Sequence, residues 1–89
     1  MEDHADLLVE ALDYLESGGF AVGPEWHRAH EIAQAREGTP DFDWLHALCH
    51  RIEGDDWNAG YWYRRAGREA GQGTVEQEWA QMRAAFVAG

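Results

Sequence analysis

Apolar residues recur along this chain at spacings of three and four, and no segment alternates with the period of a strand. Leu7, Leu8, Ala11, Leu12 and Leu15 form the first stripe, which predicts a helix from about Asp3 to Glu16. Glu2, Asp3 and Asp6 fall in its first turn, where acids complement the helix dipole, and Ser17-Gly18-Gly19 ends it. Phe20-Ala21-Val22 is a short apolar connector. Gly23-Pro24 then opens a second helix, with Pro24 suited to the first helical position. Trp26, Ala29, His30, Ala33 and Ile32 face its core side, and Gly38-Thr39-Pro40 closes it.

Asp41 is the expected cap of a third helix, whose buried stripe is Leu45, Leu48, Cys49 and Ile52, helped by Phe42 and Trp44. Gly54 stops it. Asp55 or Asp56 caps a fourth helix running to about Arg68. Ala59, Trp62, Tyr63 and Ala66 share one side of it, with Tyr61 and Arg65 alongside. Gly67, Gly71 and Gly73 break the chain again. Thr74 and Gln77 make a capping-box pattern for a fifth helix that presents Val75, Trp79, Met82 and Phe86. The expected fold is all-α, a compact bundle of about five short helices in a single domain over 1–89. Its short connections favour antiparallel neighbours.

A core of this size is modest, and the five Trp, three Tyr and three Phe help to fill it. The net charge of −10 argues against general nucleic-acid binding and against attraction to anionic membranes, since both need a surplus of cations. No stretch is apolar enough to span a bilayer. The acidic start lacks the basic region of a secretory leader, so a cytoplasmic location is expected. All seven basic residues are Arg, and Arg64, Arg65 and Arg68 form the only basic cluster. The single cysteine, Cys49, has no intramolecular partner and falls on the apolar side of its helix, where it reads as a small buried hydrophobe.

The chemistry-bearing residues gather in the middle. His27, His30 and Glu31 lie within one turn of the second helix. His46 and His50 are four apart on the third, with Glu53 three further on, so these share a face. If the two helices are neighbours, the groups converge. One reading is a metal site built from His30, His46, His50 and Glu53, because imidazole and carboxylate suit zinc and similar ions. The spacing matches neither His-Glu-x-x-His nor the Glu-x-x-His pair of di-iron bundles. The other is that these histidines pack and hydrogen-bond within the hairpin. A pocket for a small anionic ligand would take guanidinium donors from Arg51, Arg64, Arg65 and Arg68, with Tyr61, Trp62 and Tyr63 as walls, beside the His/Glu cluster that includes Glu31, guanidinium groups being good partners for carboxylate and phosphate. A general base at His46 or His50, oriented by Glu53 or Asp55, is a further option. Ser17, the one serine, and Cys49, which diverges from His50 on the helix, give nucleophilic catalysis little support.

Gly54-Asp55 followed by Ala59, Tyr63 and Ala66 resembles the second half of a tetratricopeptide-type repeat, in which small residues let two antiparallel helices approach closely. The preceding helix, with Trp44, Leu45 and Ala47, departs from the repeat's Trp-Leu-Gly series. His50-Arg51-Ile52-Glu53-Gly54-Asp55 is preceded by His30-Glu31 and Trp44-Leu45-His46-Ala47 and followed by Asn58-Ala59-Gly60-Tyr61-Trp62-Tyr63. Together they resemble the signature of a family of small microbial helical proteins of unassigned activity. That resemblance implies a common helical fold and a shared site in this middle segment, and brings no reaction with it. The expected function is a binding module acting on a protein partner or on a second copy, as in a homodimer, through the helical hairpin and its surplus of aromatic surface. The alternative is a metal-binding or small-anion-binding protein using the His/Glu cluster. The cofactor is unknown, with a divalent metal as the one candidate.

Overall fold

A computed structural model describes residues 3–88 and contains five helices, α1 (His4–Ser17), α2 (Pro24–Gln34), α3 (Pro40–Glu53), α4 (Asp56–Arg65) and α5 (Val75–Ala88), with no strand among the described residues. No described helix is long and apolar enough to cross a membrane. The helix ends follow local chemistry. Asp3 stands just outside α1 as its cap, its carboxylate accepting from the Asp6 N–H at 2.9 Å; Glu2 lies outside the described residues. The third helix begins one residue before the expected cap: Thr39 holds that position, Pro40 enters the helix with its ring already set for helical φ, and Asp41 falls in the first turn. Asp55, not Asp56, caps α4. Thr74 and Gln77 exchange both capping-box hydrogen bonds, at 3.0 and 2.8 Å.

Two helices are shorter than their sequence pattern. α2 stops at Gln34 and residues 35–38 form turns, so the chain turns back before Gly38. α4 stops at Arg65, which leaves Arg68 in the connection to α5. There Arg68 lays its guanidinium over the Trp44 ring at 3.5 Å.

α3 is the axis of the bundle. It packs against each of the other four helices, and every residue from Phe42 to Cys49 is buried. A helix surrounded in this way has no solvent face over that stretch. The sequence stripe therefore named only part of its buried set: Asp43 and His46 are inside, while Ile52 is half-buried. Asp43 is satisfied by the Gly38 N–H at 3.1 Å. α3 and α4 are joined across Gly54, whose φ of 84° closes the helix in the left-handed region that glycine tolerates. His46 stacks on Trp62, roughly equidistant from that turn, as antiparallel neighbours require.

α5 is locked on by a buried carboxylate that sequence periodicity does not reveal. Glu78 is 2% exposed. Its oxygens accept from Trp44 Nε1 at 3.0 Å, Arg51 Nη1 at 2.7 Å and the Tyr63 hydroxyl at 2.7 Å. Arg51 also donates to the Gly73 carbonyl. One side chain from α5 thus ties together α3, α4 and the connection before α5. Towards α1, Trp79 Nε1 donates to the Leu12 carbonyl at 2.9 Å and Arg83 pairs with Asp13 at 2.9 Å, which fixes α5 to α1.

Candidate metal centre

α2 and α3 pack side by side, and their contact brings three imidazoles together. His30 comes from α2, one turn after Trp26. His46 and His50 come from α3, one turn apart, so their rings lie one above the other, 4.9 Å between centroids and 20° from parallel. His30 meets both edge-on, at 4.7 Å from His46 and 5.3 Å from His50. One ligating nitrogen from each of the three lies within 4.8 Å of the others. The tightest approach is between His30 Nε2 and His46 Nε2, 3.1 Å apart.

Two indoles hold the rings. Trp26 stacks on His30 at 4.9 Å and 12°, and its Nε1 donates to the Cys49 carbonyl at 2.8 Å, so the ring is pinned to α3. Trp62 of α4 stacks on His46 at 3.9 Å and 13°. His46 is 3% exposed and forms the floor of the cluster, while His30 and His50 are half-buried and reach its open side. His46 Nδ1 is buried without a hydrogen-bond partner.

These surroundings disfavour protonation. Burial pushes the His46 imidazole down from its ordinary value to about 3, and the neighbouring His30 and His50 add to the effect. Burial also lowers His30, followed by repulsion from His50. Both rings are neutral at pH 7 and each keeps a lone pair on one nitrogen. A hydrogen bond across the 3.1 Å contact requires one ring to donate and the other to accept, the roles being set by the two tautomers.

Glu53 is not a fourth member of the imidazole group. Its Oε1 lies 2.5 Å from His50 Nδ1 on the exposed side of the ring. Asp55 completes a second gathering with His50 and Glu53. Both Asp55 oxygens, however, are engaged by Asn58, one with its N–H at 3.1 Å and the other with its side-chain nitrogen at 2.6 Å. Asp55 is therefore the cap of α4.

The remaining sequence candidates lie apart. Glu31 is exposed and lines a cavity of about 240 Å³ between α1 and α2, with Glu10, Tyr14, Arg28 and Arg36. Tyr61 is at the surface, edge-on to Trp62, and its hydroxyl accepts from Arg65 Nη1 at 2.8 Å. Arg64 is exposed and makes no hydrogen bond to the three imidazoles. Tyr61 and Arg64 therefore do not join Glu31 and the histidines in one anion pocket. Of the two stacking indoles, the sequence offers Trp62 only as a wall of the anion pocket and Trp26 only as a core residue, although Trp26 lies one turn before His30 on the same face. Comparison with protein-family models, with curated proteins and with solved structures gives no match.

Proposed function

We propose that this domain binds a divalent transition-metal ion through His30, His46 and His50. The observation that carries the reading is the convergence of three imidazoles from two helices within 4.8 Å. Two nitrogens bound to one tetrahedral zinc at about 2.0–2.1 Å stand about 3.3–3.4 Å apart. The 3.1 Å between His30 Nε2 and His46 Nε2 is already close to that spacing. An all-imidazole set favours zinc, copper, nickel or cobalt over magnesium and calcium, which want oxygen. Three protein ligands leave a position for water on the side where His30 and His50 are half-exposed. The test is elemental analysis after incubation with Zn²⁺ or Ni²⁺ and desalting. One ion per chain is expected in the parent, and none in His46→Ala or His50→Ala variants shown by circular dichroism to be folded. A folded parent that retains no metal contradicts the proposal.

A second reading is favoured by one surface. Trp57 is 75% exposed, and Tyr61 stands one turn further along α4, beside Arg64 and Arg65. Trp, Tyr and Arg are the residues most enriched among interface anchors. Ala59 and Tyr63 are buried against α3, as a tetratricopeptide-like hairpin would have them, which supports α4 as the outer helix of an interaction module for a protein partner or a second copy. Light scattering of the parent and Trp57→Ala would test self-association. A parent that is monomeric at high concentration excludes the homodimer.

A further inference from the structure

We infer that Glu53 is a positioning residue for the metal centre: its carboxylate holds the proton on His50 Nδ1 and so presents the Nε2 lone pair to the ion. This rests on the reading of the three imidazoles as a metal site and assigns Glu53 a part in it different from that of a ligand.

A neutral imidazole carries one proton, and whichever nitrogen holds it cannot bind a metal. An ionised carboxylate only accepts hydrogen bonds, so the 2.5 Å contact between Glu53 Oε1 and His50 Nδ1 requires the proton to sit on Nδ1. Nε2 is then the atom that His50 has for an ion. The arrangement comes directly from the helix. Residues three apart share a face, and Glu53 is the last residue of α3, so its side chain reaches back along that face to His50. Gly54 then turns the chain away through a left-handed conformation, which leaves the carboxylate at the open edge of the cluster. Among the described residues Glu53 makes no other side-chain hydrogen bond. The three histidines are supported unequally. His46 is gripped by Trp62 and has no partner on Nδ1, His30 is gripped by Trp26, and His50 alone is oriented by a carboxylate. Carboxylates placed behind ligating histidines fix the tautomer and raise the basicity of the other nitrogen.

A direct ligand and a positioning residue respond differently to a conservative change. Gln at position 53 still offers a carbonyl oxygen to Nδ1–H but is a poor ligand for zinc; Ala offers neither. Two readouts on the parent, Glu53→Gln and Glu53→Ala decide the matter. The first is the His50 tautomer in the metal-free protein, read from long-range ¹H–¹⁵N correlations at about pH 8, where an ordinary imidazole is neutral. The second is Zn²⁺ affinity, measured by competition with a chelating dye. The parent and Glu53→Gln are expected to hold Nδ1–H, and Glu53→Ala to shift towards Nε2–H. Zinc affinity is expected to fall by about 10–100-fold in Glu53→Ala and only a few-fold in Glu53→Gln. Nε2–H on His50 in the parent, an unchanged affinity in Glu53→Ala, or a Gln variant as weak as Ala overturns the inference. A parent that shows Nδ1–H yet binds no zinc overturns the metal site itself, so the two failures are told apart.

Discussion

Replacing Glu78 by Ala removes the acceptor shared by three donors in the interior, and the structure sets the size of the effect. The Trp44 indole N–H and the Tyr63 hydroxyl are buried, and each donor left without its acceptor costs about 1–3 kcal/mol. Arg51 is partly exposed and keeps the Gly73 carbonyl, so it adds less. The sum falls in the range of about 3–5 kcal/mol for breaking a buried ion pair from one side. An 89-residue domain has roughly 4–13 kcal/mol in all. The variant is thus expected to melt about 12–40 °C lower, at about 4–8 °C per kcal/mol for a domain of this size. Urea and thermal unfolding of parent and variant, followed by circular dichroism, measure this. Glu78→Gln keeps the volume and one carbonyl acceptor and should lose less. A Glu78→Ala protein within about 1 kcal/mol of the parent would refute the view that this carboxylate fastens α5 to the hairpin.

Three further outcomes follow from other parts of the molecule. In the metal-free protein the His46 value of about 3 lies below the 6.5 of an unperturbed histidine, so the unfolded chain binds more protons between those limits and stability rises with pH across them. The urea midpoint should therefore fall between about pH 7 and pH 5, before most carboxylates titrate, and His46→Phe should flatten the slope; a parent midpoint constant over that range contradicts the burial argument. Burial pushes the Cys49 thiol well above its ordinary range, so iodoacetamide should leave the native protein unmodified and label it in urea; rapid native labelling would show that the α2–α3 contact opens. Gly71→Ala should destabilise by about 1–3 kcal/mol, because a Cβ there would collide with the Glu78 carboxylate and stand 2.8 Å from the Tyr63 hydroxyl; equal melting temperatures would show that the connection before α5 simply shifts aside.

The helices were legible because their stripes and caps are local. Leu8, Leu12 and Leu15 of α1 and the Thr74–Gln77 box of α5 are read correctly from spacing alone. Periodicity failed where tertiary contact sets the pattern. α3 is enclosed on all sides from Phe42 to Cys49, so Asp43, which no apolar stripe includes, is buried, and His46, at the edge of that stripe by spacing, is fully inside. Glu78 lies between Gln77 and Trp79 in the first turn of α5, with Glu76, and looks like surface; only the folded chain shows the Trp44, Arg51 and Tyr63 donors around it. The meeting of His30 with His46 and His50 was conditional on α2 and α3 being neighbours, and short connections made that the natural arrangement. Glu53 was grouped with the ligands because it shares the helical face of His50. That same spacing is what sets it on His50 Nδ1.

The central claim is that three imidazoles from α2 and α3 form one ion site. Its most direct test is a crystal grown with Zn²⁺ and measured at the zinc absorption edge. The account predicts one anomalous peak about 2.0–2.1 Å from a single nitrogen of each of His30, His46 and His50, with Glu53 still on His50 Nδ1. No peak among the three rings, or zinc held only by exposed carboxylates elsewhere, would contradict it.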